Sequence, residues 1–214
     1  MNSISISIIG AGTMARILAA RALAGGNTVE VIGRDAAKAA ALARSLGGGA
    51  TAGTFGSAPA GEIVILALPY ASEAPVVAQY GDALTGKVIV DISNPFDPAF
   101  TGLVTPAGSS GAQEIAKAAP AGAHVVKAFN TILGHVLAAD QAGGRPLDVF
   151  IAGDDAGAKE RVSSFIESLG LRPLDAGDLK MAHWLEGAGL LMVAPGVGKA
   201  AGESNFWLGI NTLG

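Results

Sequence analysis

The sequence predicts an α/β fold, a doubly wound parallel sheet with a short C-terminal helical tail. Strand-like and helix-like patterns alternate along nearly the whole chain, with short breaks between them. Several strand candidates, among them EIVILALP from Glu62 and KVIVDIS from Lys87, are continuous apolar runs, as expected where helices cover both faces of a sheet. The first strand runs through a glycine turn directly into a helix.

Taken in order, ISISIIG (Ile4 to Gly10) alternates like a strand, and TMARILAARALAGG is a helix stopped by Gly25 and Gly26. TVEVIG is a second strand. Asp35 then has the chemistry of an N-cap for AAKAAALARSLGGG. After the strands from Glu62 and Lys87 comes HVVKAF from His124, with helical segments between them over 72–84 and 111–118. A helix near Val136, a strand LDVFIAG, a helix from Ala156 to Leu169 and a short strand at Arg172 to Leu174 follow. A last helix is expected over 179–193. Successive β-α-β units imply parallel strands with right-handed crossovers. No repeat, linker or charge block divides the chain, so residues 1–214 are expected to form a single domain.

The chain has 214 residues, enough for one substantial core. Half of them are hydrophobic but only 5% are aromatic, so Ala and the 31 Gly supply much of the apolar content and suit closely packed helices. A net charge of −4 argues against nucleic acid as a partner, because phosphate backbones demand clustered Lys and Arg. The absence of Cys excludes disulfides, thiol nucleophiles and cysteine metal sites, and fits a cytoplasmic location. No membrane association is expected either. The most apolar stretch, from Leu190, is broken by Pro195 and Lys199, well short of the ~20 residues that a span needs.

Gly10-Ala11-Gly12-Thr13-Met14-Ala15 is a G-x-G-x-x-A turn at the first strand-to-helix junction. Gly10 permits the tight turn and Gly12 lets a pyrophosphate approach the backbone. Ala15 keeps the helix close to the sheet, while the helix N-terminus offers free N–H groups. This is the fingerprint of a Rossmann-type dinucleotide site. A preference for NADP(H) is read from the end of the second strand. Gly33 stands where an acid would hold a ribose 2′-hydroxyl, and Arg34, with Lys38 one turn later, suits a 2′-phosphate. Leu68, Pro69 and Tyr70 end the strand begun at Glu62, Tyr70 serving either packing or cofactor contact. Ser93 and Asn94 end the next strand, on the carboxyl side of the sheet where ligands collect.

Asp91 and Asp97 are read as turn and capping residues rather than as a carboxylate pair. The histidines His124, His135 and His183 make no metal spacing, and no G-x-S-x-G elbow offers a serine nucleophile. His183, near Glu186, is a proton donor or, more simply, a polar residue on a helix face. Lys127 and Asn130 interrupt the apolar run of HVVKAFN, with Lys127 either neutralising an anionic ligand or extending its ammonium to solvent.

The combination IIGAGTMA, VIGRD, LALPY, KAFNTI and GLRPLDAGDL resembles the NADP oxidoreductases that work with coenzyme F420, from Ile4 to Leu213. VVKAFNT and VDISN are similar to the cytoplasmic reductase part of the STEAP metalloreductases, which pass electrons from NADPH through a flavin. The resemblance implies direct hydride transfer between nicotinamide and a deazaflavin, with these small-molecule cofactors as substrates. It implies that Gly10, Gly12, Met14, Ala15, Gly33 and Arg34 hold NADP, with Pro69, Tyr70 and Asn94 closing over it. The run from Ala128 to Ile132, with Asn130 and Thr131 inside it, and Leu213 from the tail would border the nicotinamide and second-cofactor pocket, which residues 179–214 help to close.

The archaeal F420 enzymes tend to carry a histidine-containing sequence where Asn130 stands, so FAD, FMN or a small imine or ketone remain alternative acceptors. A non-catalytic NADPH sensor is a further alternative. Pyrroline-5-carboxylate reductases share the opening motif but normally add a long helical domain, which the residues after Ala176 are too few to supply. The apolar tail, with Trp207, Leu208 and Ile210, together with the resemblance, suggests a homodimer.

Overall fold

A computed structural model of the chain describes residues 3–139, 145–194 and 207–211. Leu213 and the rest of the apolar tail outside these ranges lie outside the described residues.

The strands are β1 (Ser5–Ile9), β2 (Thr28–Gly33), β3 (Thr51–Thr54), β4 (Ile63–Leu66), β5 (Val88–Asp91), β6 (His124–Lys127), β7 (Asp148–Gly153) and β8 (Arg172–Asp175). The helices are α1 (Thr13–Ala24), α2 (Ala36–Leu46), α3 (Tyr70–Tyr80), α4 (Gly111–Ala118), α5 (Gly134–Ala138), α6 (Ala156–Ser168) and α7 (Ala182–Val193). They form one eight-stranded sheet in the order β3-β2-β1-β4-β5-β6-β7-β8. The chain winds outward from β1 to β3, then returns to place β4 on the other side of β1. The carboxyl ends of β1 and β4 therefore flank the switch point, where an open α/β sheet offers its ligand crevice.

Alternating side chains of the central strands feed two cores, as a strand's period of two requires. Ile6 and Ile8 of β1, Ile63 and Ile65 of β4 and Val88 and Val90 of β5 pack beneath α1 and α6. Ile9, Val64, Leu66 and Ile89 face α3 and α4 on the other side. The doubly wound architecture is as the sequence predicts.

Two features depart from that reading. β3 was not anticipated: its sequence TAGT is short, largely exposed and without apolar alternation, and only its pairing with β2 makes it a strand. β7 is antiparallel to β6, with Val126 opposite Gly153 and Lys127 opposite Ala152. A parallel return needs a helix long enough to cross the sheet face, and α5 has only five residues. The antiparallel strand begins beyond the end of β6, so Asp148 sits near the same edge as residues 128–132. There Arg172 holds Asp148 through Nε at 2.5 Å and Nη2 at 2.7 Å. The backbone N–H of Ile210 donates to Asp148 Oδ2 at 2.7 Å, tying the segment after Trp207 to this edge.

Candidate functional site

The turn after β1 is built for close approach. Gly10 has φ +131°, and a Cβ there would lie 2.2 Å from the Ala67 carbonyl oxygen after β4. Gly12, the N-cap of α1, meets nothing within 4 Å of an added Cβ, and no side chain caps the helix. The N-terminus of α1 thus faces open space at the switch point, which suits an anion. Beside it lies a cleft of about 300 Å³ lined by Gly10, Ala11, Gly33, Arg34, Asp35, Lys38, Phe55 and Leu68. Asp35 caps α2 by accepting from the Lys38 N–H at 3.0 Å. That role accounts for an acid beside Arg34, which has no partner among the described residues.

A second cavity, of about 210 Å³, lies where β5 and β6 end beneath α7. Its wall includes Met14, Ile92, Asn94, Asn130, Thr131 and Ile132, with Gly189 and Met192 of α7 above. Asn94 and Asn130 form a reciprocal pair: Asn94 Nδ2 donates to the Asn130 carbonyl at 2.9 Å, and Asn130 Nδ2 donates to Asn94 Oδ1 at 2.9 Å. Phe129, just before, has φ 62°, a strained value for a bulky residue, and strain of this kind gathers at functional sites. Gly189 lets α7 lie directly on this pair, since a Cβ there would approach Asn94 Oδ1 to 2.8 Å.

The expected site residues divide between these spaces. Gly10, Gly33, Arg34, Lys38 and Leu68 line the cleft, and Met14, Asn94, Asn130, Thr131 and Ile132 line the cavity. Gly12 and Thr13 open α1 between them, while Pro69 and Tyr70 open α3. Ala15 and Ala128 are buried in the core beneath and line neither space, so Ala128 is a packing residue where the sequence suggested room for a ring. Phe129 lines the cavity as expected of the run from Ala128 to Ile132, whereas Gly189 and Met192 were not anticipated there. The glycine inside an otherwise apolar helix was the signal for Gly189.

Lys127 contradicts both sequence expectations. It neither faces a ligand space nor reaches solvent; it is fully buried. Register explains its main partner, because Lys127 of β6 stands opposite Asp91 of β5 in the parallel ladder. Its ammonium donates to Asp91 Oδ2 at 2.7 Å, the Ser93 carbonyl at 2.7 Å and Glu186 Oε1 at 2.8 Å, which uses all three protons. Glu186, from α7, also accepts from the Gly111 N–H at 2.9 and 3.1 Å, at the N-terminus of α4. Asp91 is therefore an ion-pair residue as well as a turn residue, its Oδ1 accepting from the Ser93 N–H at 2.8 Å. Asp97 does cap its own turn, accepting from Ala99, Thr101 and the Thr101 hydroxyl.

Burial alone would lower the pKa of Lys127, but Asp91 and Glu186 outweigh it and hold the amine above its usual range. For Glu186, burial wins over the pairing and raises the carboxyl. A third carboxyl, Glu73 of α3, accepts from the Ser93 hydroxyl at 2.7 Å. Burial, then the neighbouring Asp91, push Glu73 well above its usual value. Burial and the surrounding carboxylates likewise raise the phenol of Tyr70. His183 Nδ1–H donates to the Ser109 carbonyl, 3.0 Å away, while Glu186 turns inward to Lys127.

A carboxyl whose pKa is raised by folding stabilises the fold below its unfolded value, near 4.5, and that contribution is lost as pH rises through the folded value. Glu73→Gln keeps the shape without the titration. Its stability is expected to fall less steeply with rising pH than the parent's, by up to about 1.4 kcal/mol per pH unit where Glu73 holds its extra proton. Urea unfolding across pH measures this, and parallel curves for the two proteins would place the proton elsewhere.

Among the described residues no group of His, Asp and Glu could hold a metal ion, and no helix is long and apolar enough to cross a membrane.

Residues 5–95 match the sequence model of the NADP oxidoreductases that are coenzyme F420-dependent. The chain is 32% identical over 181 residues to metalloreductase STEAP3 of Rattus norvegicus, an alignment that covers 85% of this chain and 35% of the metalloreductase. It is 28% identical over 142 residues to the F420-dependent NADP reductase of Methanocaldococcus jannaschii, covering 64% of this chain and 63% of that protein. The chain thus spans about a third of one relative and just under two thirds of the other. Among solved structures, a hypothetical protein from Sinorhizobium meliloti superposes with a TM-score of 0.75 at 30% identity, over 85% of this chain and 88% of that one. The dinucleotide turn, the cleft beside Arg34 and the first five strands all fall within residues 5–95, the segment that matches the coenzyme F420-dependent NADP oxidoreductases.

Proposed function

We propose that the chain binds NADP(H) across the switch point and exchanges a hydride between the nicotinamide and coenzyme F420. The observation that carries this reading is the cleft beside Gly33, Arg34 and Lys38, whose wall also includes Gly10 and Ala11 of the glycine turn. Gly12 and the uncapped α1 take the pyrophosphate, and the unpaired Arg34 takes the 2′-phosphate with charge-assisted hydrogen bonds. When bound, the two cofactors supply the redox chemistry: a hydride leaves one ring and reaches the other. The protein aligns the rings and excludes water, and α7 covers the cavity for that purpose.

A flavin acceptor is a second reading, favoured by the longer and higher similarity to the metalloreductase than to the F420-dependent enzyme. Steady-state kinetics separate the readings. With NADPH as donor, turnover is expected with F420 and at most slowly with FAD or FMN; turnover with flavin alone would install the second reading. Arg34→Ala is expected to raise KM for NADPH by roughly tenfold or more, the loss of a charge-assisted contact, with little change for NADH. Equal effects on both donors would contradict the 2′-phosphate assignment.

A further inference from the structure

Asn130 and Thr131 line the 210 Å³ cavity, and each carries a buried polar atom, Asn130 Oδ1 and Thr131 Oγ1, that no group among the described residues satisfies. Asn130 is 6% exposed and Thr131 1%. The orientation of the Asn130 amide is settled by its neighbours. Nδ2 spends both of its hydrogens, on Asn94 Oδ1 at 2.9 Å and on the Leu185 carbonyl at 2.8 Å. Exchanging the oxygen and nitrogen would set oxygen against two acceptors, so Oδ1 is the free end and seeks a donor. The Thr131 hydroxyl beside it both donates and accepts. Buried polar atoms in folded proteins are paired as a rule, and an orphaned pair on a cavity wall is the signature of a site completed by a ligand. Apart from Asn94, whose amide is paired with Asn130, the rest of that wall, including Met14, Ile92, Ile132, Met192 and Val193, is apolar. An apolar slot with two polar groups at one side suits a flat ring read along one edge.

We propose that Asn130 and Thr131 are specificity residues for a planar ring that carries an amide N–H beside a carbonyl. Asn130 Oδ1 accepts from the N–H, and the Thr131 hydroxyl donates to the carbonyl. The carboxamide of nicotinamide presents this edge, and so does the imide of a flavin or deazaflavin. The inference rests on the reading of the chain as an NADP(H)-dependent oxidoreductase and says which atoms of the ring are recognised.

Equilibrium binding to the full chain tests it. 2′,5′-ADP, which carries no nicotinamide, reports the dinucleotide cleft alone, so a failure of the cleft reading shows as loss of its binding. NADP+ is then compared with its 3-acetylpyridine analogue, which keeps the carbonyl and replaces the amide nitrogen by a methyl group. FMN is compared in parallel with N3-methylated FMN.

NADP+ is expected to bind at least roughly tenfold more tightly than the acetylpyridine analogue, the usual consequence of leaving a buried polar group unpaired. In Thr131→Val, which removes one hydroxyl at nearly constant volume, the dinucleotide is expected to lose affinity while 2′,5′-ADP does not. That pattern assigns the pair to nicotinamide. Equal binding of the two dinucleotides with at least tenfold rejection of N3-methylated FMN assigns it to the acceptor's imide. No discrimination in either series, with 2′,5′-ADP still bound, would overturn the proposal.

Discussion

Gly10→Ala is expected to lose stable folding, whereas Gly12→Ala, two residues on, is expected to fold as the parent does and lose the dinucleotide. The new methyl at residue 10 would sit 2.2 Å from the Ala67 carbonyl and force a side chain into φ +131°. Such a backbone value costs about 1–3 kcal/mol and overpacking about as much again, together a large part of a domain's stability. Gly12 has φ −90° and nothing within 4 Å of its added Cβ, so alanine meets no protein atom there. The space it would fill is the space assigned to the pyrophosphate, at a cost to binding of about 1–3 kcal/mol. Thermal unfolding and NADPH titration of both variants measure the contrast. A Gly12→Ala protein that binds NADPH normally would remove the pyrophosphate from this turn.

Lys127→Met is expected to be the most destabilising single change at the carboxyl edge, by about 3–5 kcal/mol near neutral pH. The substitution keeps the bulk of the side chain and leaves Asp91 and Glu186 buried without their cation. Three structural pieces meet at this ammonium: β5 through Asp91, the turn carrying Asn94 through the Ser93 carbonyl, and α7 through Glu186. The loss is expected to narrow as pH falls through the raised range of Glu186, because a neutral Glu186 no longer needs the ammonium. Urea unfolding near neutral pH and in acid tests both points. A deficit that grew in acid would mean that the cluster does not depend on the ion pair.

How much of this was legible in the sequence depends on the range of the interaction involved. The β1 turn, the Asp35 cap and the continuous apolar strands are local patterns, and the fold class follows from them. Direction and partners are not local. HVVK and DVFIAG both read as strands, but nothing within either says that they pair antiparallel; the shortness of α5 decides it. Asp91 looked like a turn residue because its cation lies 36 positions away, and Glu186 looked like a companion of His183 because its ion-pair partner lies 59 positions away. Lys127 was conspicuous as a charge in an apolar strand, yet its role required the register of β5 against β6 and the placement of α7. The cavity shows the same division. Asn130 and Thr131 stood out beside a core strand, whereas Gly189 and Met192 joined them only when α7 folded over that edge.

Transfer of deuterium from stereospecifically C4-labelled NADPH to oxidised F420 in ordinary water tests the central claim most directly. Reduced F420 is expected to carry the label from one of the two C4 isomers and not from the other, because a single enclosed face of the nicotinamide meets the acceptor. Label released to water, or no reduction of F420 while NADPH binds normally, would contradict direct hydride exchange between the two cofactors.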